Sequence, residues 1–99
     1  MSEVIYLPEI RCEVSKGLLD TQITVCVRDV NGGRQYLQVT PTMVNRYDAQ
    51  PYLPVGLIQV DHKGRRALIE LPAEADSGAN RMWVPFESFL PESRTEPVA

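Results

Sequence analysis

The sequence predicts a mainly β protein: a small, strongly bent barrel of about five antiparallel strands with one or two short helical turns. Three observations predict this class. Strand-like alternation of apolar and polar residues recurs along the chain, glycine-bearing turns join the best alternating segments, and the helical signals span only a few residues. Closing the sheet would also remove most of the unpaired strand edges through which a small β protein can pair with other chains.

The clearest element is a hairpin in the first half of the chain. Residues 22–30 alternate β-branched and polar side chains, and residues 34–40 continue the alternation. Between them, Asn31-Gly32-Gly33 supplies the positive φ angles that tight hairpin turns require. One face of this hairpin is expected in the core, and it carries Ile23, Val25, Val27, Leu37 and Val39.

A second hairpin is predicted in the second half of the chain. Its arms are Val55–Asp61 and Arg65–Leu71, and Gly64 suits the left-handed position of a bulged turn. Pro54 and Pro72 bound the unit, since proline is confined to the ends and edges of sheets. The inward side chains expected here are Ile58, Val60, Ala67, Ile69 and Leu71.

The remaining elements are weaker. One strand is expected around Ile10 and Cys12, and another is expected from Arg81 to Val84. Thr40-Pro41 resembles a helix start, and the helix would end before Pro51. Residues 84–90 are expected to form one helical or 3₁₀ turn that closes one end of the barrel.

Length and composition indicate one domain over residues 1–90, followed by a polar, proline-bearing tail over 91–99. The chain has 99 residues, 43% of them apolar and 23% charged, as is typical of a globular domain. A net charge of −3 disfavours general nucleic-acid binding. The N-terminus lacks a signal-peptide pattern, and no apolar run approaches the ~20 residues of a membrane span. We therefore expect a cytoplasmic, most simply bacterial, protein.

The sequence offers no clear catalytic or metal-binding group. Cys12, Cys26 and His62 fall short of the four ligands that zinc usually takes, so we expect buried thiols, no metal and no cofactor. Asp61 precedes His62 directly, but neighbours on a strand point to opposite faces and do not orient one another. No catalytic residue is predicted. Whether the protein is an enzyme stays open, and a non-enzymatic role is favoured.

The segment from Val55 to Leu90 resembles the C-terminal half of an SH3-like barrel. With its strand Ala67-Leu68-Ile69-Glu70 and the run Gly78-Ala79-Asn80-Arg81-Met82-Trp83-Val84-Pro85, it is similar to the plasmid-borne type II dihydrofolate reductases. The resemblance covers only the C-terminal third, and it implies a barrel shape and oligomerisation. Arg81, Met82 and Trp83 stand where that family has a Gln-Ile-Tyr triplet, so it does not imply reductase activity here.

A second apolar set lies on the face opposite the expected core: Cys26, Tyr36, Leu57, Leu68 and Trp83. Such a set needs a cover. The segment Pro41–Leu53 could fold over it with Tyr47 and Tyr52, or the set could be a surface for another copy or another protein, where Trp and Tyr commonly anchor binding. The expected binding residues are Tyr36, Leu57, Leu68, Arg81 and Trp83.

Three functions are compatible with these patterns. The first is a non-enzymatic binding or assembly protein that binds itself or a protein partner through this face. The second is an oligomer with a site between subunits for a small anionic or aromatic ligand, in which Arg81 and Trp83 would contact the ligand. The third, disfavoured by the acidic net charge, is nucleic-acid binding through the basic hairpin 62–66, which carries His62, Lys63, Arg65 and Arg66.

Overall fold

The computed structural model describes residues 5–94 of the chain, and it confirms the mainly β class. Within these residues, ten short strands form three antiparallel sheets. The strands are β1 Tyr6–Arg11, β2 Glu13–Lys16, β3 Ile23–Arg28, β4 Arg34–Val39, β5 Asn45–Tyr47, β6 Gln50–Pro54, β7 Gly56–Asp61, β8 Arg66–Glu70, β9 Arg81–Pro85 and β10 Phe89–Pro91. Single 3₁₀ turns lie at Pro41–Met43, Phe86–Ser88 and Glu92–Arg94.

The sheets do not join into one closed barrel, so that part of the sequence prediction is wrong. The first sheet has the strand order β10-β1-β6-β5, the second β2-β3-β4 and the third β7-β8-β9. The chain therefore divides about twice the predicted number of strands among three small sheets. Each sheet keeps two edges that a closed barrel would have removed.

The β3–β4 hairpin is confirmed. Its strands pair in register, with Val25 opposite Leu37, and both side chains are fully buried. Gly32 adopts the expected positive φ, at 80°. The turn is further held by Asp29, whose carboxylate oxygen accepts two backbone N–H bonds of 2.8 Å from Asn31 and Gly33, as acidic side chains do in Asx turns.

The β7–β8 hairpin is also confirmed, but its turn differs from the prediction. Arg65, not Gly64, takes the left-handed conformation, with φ 51°, because the turn spans residues 62–65 and its last residue must redirect the chain into β8. Gly64 is needed for space instead: a Cβ there would lie 2.5 Å from the Asp61 carboxylate. That carboxylate accepts the Gly64 N–H at 3.0 Å.

A bulge in β7 changes which of its side chains face inward. Leu57 pairs with Ile69 and Val60 pairs with Ala67, while Ile58 and Gln59 together oppose Leu68. The extra residue shifts the alternation by one position. Leu57 and Val60 therefore share the face of Ile69 and Ala67, whereas the sequence predicted Ile58 and Val60 inward and Leu57 outward.

The segment after β4 is a strand pair and not the predicted helix. The 3₁₀ turn at Pro41–Met43 occupies its start, and β5 and β6 then pair with each other, Asn45 opposite Tyr52. Asp48 and Ala49, with φ angles of 52° and 68°, turn the chain between the two strands. Pro51 lies within β6 and does not end a helix.

The core agrees with the predicted inward set except in β7 and at Ile23. Ile23 is partly buried against the core, and Ile58 and Val60 remain 43% and 38% exposed. The buried apolar residues that form one cluster come from all three sheets: Ile10, Cys12, Val25, Val27, Leu37, Val39, Leu53, Ala67, Ile69, Leu71, Ala75, Met82, Val84 and Phe89. Both cysteines are buried thiols, as the sequence predicted.

The C-terminal segment pairs with the N-terminal strand. After the 3₁₀ turn at Phe86–Ser88, strand β10 places Leu90 opposite Leu7 and Pro91 opposite Tyr6. The Glu92 N–H then donates to the Ile5 carbonyl at 2.7 Å. Residues 95–99 of the predicted tail lie outside the described residues. Within residues 5–94, no helix has the length and apolarity required to cross a bilayer.

Candidate functional site

Three of the five predicted binding residues lie together on the outer face of the third sheet. Leu68 of β8 is directly opposite Trp83 of β9, and both are half-buried. Arg81 lies two positions from Trp83 on the same face, and its Nε is 3.4 Å from an oxygen of Glu70. The Arg81 charge is therefore already partnered by a carboxylate.

The indole of Trp83 is covered in part by its own chain. The Arg66 guanidinium lies 4.6 Å from the centre of the Trp83 ring system, within the range of a cation–π contact. Arg66 Nε also donates to Asp61 at 3.1 Å. The Gly64 N–H, and next the Arg66 side chain, lower the pKa of Asp61 below its ordinary value, so the carboxylate that holds this arrangement is charged at neutral pH.

Leu57 and Tyr36 are not part of this outer face, and the predicted five-residue face is wrong as a single surface. The β7 bulge places Leu57 on the opposite side of the third sheet from Leu68. Tyr36 belongs to the second sheet, where it is 41% exposed and pairs with the buried Cys26. The sequence could not show that these strands divide between two sheets, since each segment alternates equally well in either arrangement.

The basic hairpin 62–66 has two of its three Lys and Arg charges neutralised. Arg65 donates to Glu87 at 3.0 Å, which raises the pKa of Arg65. Its guanidinium also lies 5.5 Å from the centre of the Phe86 ring. With Arg66 bonded to Asp61, Lys63 is the hairpin cation without an ion pair in the described part of the chain.

An apolar groove lies beside this hairpin, on the inner face of β7. Its volume is about 770 Å³, and Leu57 and Val60 contribute to its wall. His62 and Arg65 are the titratable side chains of the hairpin that reach it. The residues that line the groove come from β1, from the β6–β7 corner, from the third sheet and from the C-terminal segment: Tyr6, Leu7, Pro8, Val55, Leu57, Val60, His62, Arg65, Ala67, Phe86 and Phe89.

Strand β7 itself is an open edge. It pairs with β8 on one side, and no described residue pairs with its other side. None of its six residues is buried. Leu57, Ile58 and Val60 are 53%, 43% and 38% exposed, and Gly56–Val60 contains neither a charge nor a proline.

The edges of the first sheet and one edge of the second carry the features that discourage strand pairing. β10 is three residues long and ends in Pro91, and β5 is three residues long with Arg46 at its centre. β2 begins with Glu13 and ends with Lys16. Short length, proline and charge are the usual ways in which edges are kept from pairing with other chains.

The edges β4 and β9 each accept one backbone hydrogen bond from another segment of the chain. Along β4, the Tyr36 carbonyl accepts the Asp76 N–H at 2.7 Å. Along β9, the Trp83 carbonyl accepts the Val30 N–H at 2.8 Å. Among the edge strands of residues 5–94, β7 thus combines a long uncharged run, Gly56–Val60 before its terminal Asp61, with an outer side to which no described backbone group bonds.

The edge of β7 presents backbone groups that no described residue pairs with, and it lies beside the apolar groove. A strand laid along β7 would use the free backbone N–H and C=O groups of that edge, and its side chains could reach the groove. Within residues 5–94, no three His, Cys, Asp or Glu side chains lie close enough to hold a metal ion. The signal for this site was present in the sequence: Gly56–Val60 is an uncharged run between Pro54 and Asp61 with apolar residues at adjacent positions.

Comparisons with protein-family models, with curated proteins and with solved structures give no match.

Proposed function

We propose that this chain is a non-enzymatic binding and assembly module that takes up an additional β-strand along β7. The observation that carries the proposal is the exposed edge of that strand, where the run Gly56–Val60 has no charge, no proline and no described segment bonded to its outer side. Strand addition is a recurring mode of protein recognition in which backbone hydrogen bonds supply affinity and neighbouring pockets supply specificity. Here the groove beside β7 would supply those pockets.

The energetic basis is the apolar surface that an added strand would cover. Leu57, Ile58 and Val60 are each more than one third exposed, and full burial of such a side chain contributes about 1.5–3 kcal/mol. A partner strand would bury part of each of them. It would also pair backbone groups that otherwise bond only to water, with a net gain of about 1 kcal/mol per bond.

The proposal is tested by selecting extended peptides from a displayed random library and mapping where they bind by NMR. We expect the selected peptides to shift the amide resonances of β7 and of the groove wall. The double variant Leu57→Lys with Val60→Lys should abolish their binding, because it places two charges beside the edge. Leu18→Lys with Leu19→Lys, at side chains that are 80% and 61% exposed on the β2–β3 loop, is the matched control and should bind normally. Shifts confined to the outer face around Trp83 would contradict the proposal.

A second candidate function is the binding of a small apolar anion in the groove. The groove volume of about 770 Å³ falls within the roughly 300–1,000 Å³ typical of small-molecule sites. Arg65 and Phe86 would contact such a ligand in the monomer, whereas Arg81 and Trp83 lie on the other side of the sheet. Binding of the aromatic sulfonate ANS, followed by its fluorescence, should weaken in Val60→Glu, because the new carboxylate repels the sulfonate. An unchanged ANS signal in that variant would count against this candidate.

The other predictions from the sequence gain no further support. Nucleic-acid binding through the hairpin 62–66 is weakened as a candidate, since Arg65 and Arg66 are paired with Glu87 and Asp61. The SH3-like resemblance and the cytoplasmic location stay predictions of the sequence alone.

A further inference from the structure

We infer that the strand added to β7 is the β7 strand of a second copy of this chain, running antiparallel to it. This inference rests on the proposed function and specifies its partner. The two third sheets, each of three strands, would then merge into one continuous sheet about a two-fold axis. Closed two-fold symmetry of this kind is the commonest arrangement of homo-oligomers.

The β7 bulge supports a second copy as the partner. The bulge puts Leu57 and Val60 on one face although they are three residues apart. A regular strand places residues three apart on opposite faces, so it would match this edge only by leaving Ile58 or Gln59 unopposed. A second β7 carries the same extra residue, and the two strands pair residue for residue.

The resulting register is self-complementary. Leu57 lies opposite Val60 of the second copy, and Ile58 lies opposite Gln59 of the second copy; each pair occurs twice. Residues directly opposite in an antiparallel pair point to the same face, and Leu57 and Val60 do share a face. The apolar contacts at the dyad are thus made by side chains that are exposed in each separate copy.

Charge favours the same pairing. Gly56–Val60 is uncharged, so no like charges meet at the dyad. The next residue, Asp61, would lie opposite Gly56 of the second copy, and its carboxylate is already bonded to Arg66 at 3.1 Å. The basic hairpins 62–66 of the two copies would lie at opposite ends of the paired strands, because the strands run antiparallel.

The pairing also extends the groove. A two-fold axis perpendicular to a sheet keeps each face on its own side, so both grooves would open on one face of the merged sheet. Leu57 and Val60 line the groove of each copy and would meet across the dyad. A partner protein other than a second copy would have to supply the same irregular spacing to match this edge.

The test is sedimentation equilibrium of the full chain across a micromolar concentration series. We expect the wild type to dimerise reversibly. Two double variants, Leu57→Lys with Val60→Lys and Leu57→Glu with Val60→Glu, should each raise the dimer dissociation constant by at least about tenfold, since like charges directly opposite in a sheet repel. An equimolar mixture of the two variants should dimerise again, because each lysine then faces a glutamate. Leu18→Lys with Leu19→Lys, on a loop that the pairing does not involve, is the control and should dimerise like the wild type.

The outcomes separate this inference from the proposed function. A wild type that stays monomeric while library peptides still bind β7 overturns the second copy as the partner and leaves the binding module standing. A wild-type dimer that the lysine pair does not weaken, or a variant mixture that does not reassociate, also overturns the inference. Far-ultraviolet circular dichroism of each variant shows that it is folded before its association is measured. All four substituted side chains are exposed, so folding is expected to persist.

Discussion

The buried thiol of Cys12 gives a prediction with a definite pH window. Its side chain is 3% exposed within the core cluster, and burial raises the pKa of the thiol from its ordinary value of 9.0 to about 12. The nearby Arg46 charge lowers this pKa only in part. The folded state therefore favours the protonated thiol, and the unfolded state releases the proton at lower pH.

The stability contribution of Cys12 is fully present below pH 9.0 and is lost as the pH rises toward about 12. Between these values the free energy of unfolding should fall by about 1.4 kcal/mol per pH unit, to a total near 4 kcal/mol. Urea titrations of the wild type and of Cys12→Ala at several pH values measure this fall. Lysine and tyrosine side chains titrate in both proteins, so the difference between the two curves isolates Cys12.

Thiol labelling provides an independent readout of the same burial, because a buried thiol has both a smaller thiolate population and less contact with the reagent. In a Cys26→Ala background, the native Cys12 thiol should react with DTNB at least about a thousandfold more slowly than in urea, as follows from a thiolate population lowered by three pKa units. Equal labelling rates in native and denatured protein would refute the reasoning. So would a wild-type-minus-variant stability difference that does not change above pH 9.0.

Two further predictions use matched pairs of variants measured by urea denaturation. Gly17→Ala should lower stability by about 1–3 kcal/mol, because its Cβ would overlap the backbone carbonyl oxygen of Gln22. Gly56→Ala, with no neighbour closer than 3.5 Å, should be neutral or slightly stabilising. Equal losses in the two variants would contradict the steric argument. Tyr47→Phe should cost about 1 kcal/mol by removing a hydrogen bond to a carboxylate, while Tyr52→Phe should cost nothing, since the buried Tyr52 hydroxyl has no partner among the described residues. A larger loss for Tyr52→Phe would show that this hydroxyl is satisfied in solution.

The sequence predicted local pairing well where turn chemistry and alternation agreed. In the β3–β4 hairpin, Gly32 supplies the positive φ and five consecutive pairs keep strict register between Ile23 and Val27. The β7–β8 hairpin was located equally well, but its inward side chains were not. A bulge is set by how a strand fits its neighbours in space, and the alternation of Leu57 to Val60 alone does not reveal one.

The sequence does not show which strands share a sheet, and that assignment determines which residues form the candidate site. Leu68, Arg81 and Trp83 were correctly expected on one face because β8 and β9 pair without irregularity. Tyr36 shares that face only if all strands belong to one closed sheet, and the structure places it in the second sheet. Pro41 and Pro51 suggest the two ends of a helix. Instead, β6 pairs with β1 and is a central strand of the first sheet, because tertiary packing overrides local propensity.

The open architecture and the proposed binding mode have a common cause. Three small sheets leave six edges, and each unpaired edge exposes backbone groups that a neighbouring chain can pair with. A chain with this topology must either protect every edge or bind something there. Among residues 5–94, the other edges carry charge or proline, are short, or bond to another segment of the chain. Strand β7 combines exposed apolar side chains with backbone groups that no described residue pairs with, and both features favour pairing. Adding lysine to β7 should therefore improve the solubility of the isolated chain, and the same change should remove its binding, because one exposed strand is responsible for both.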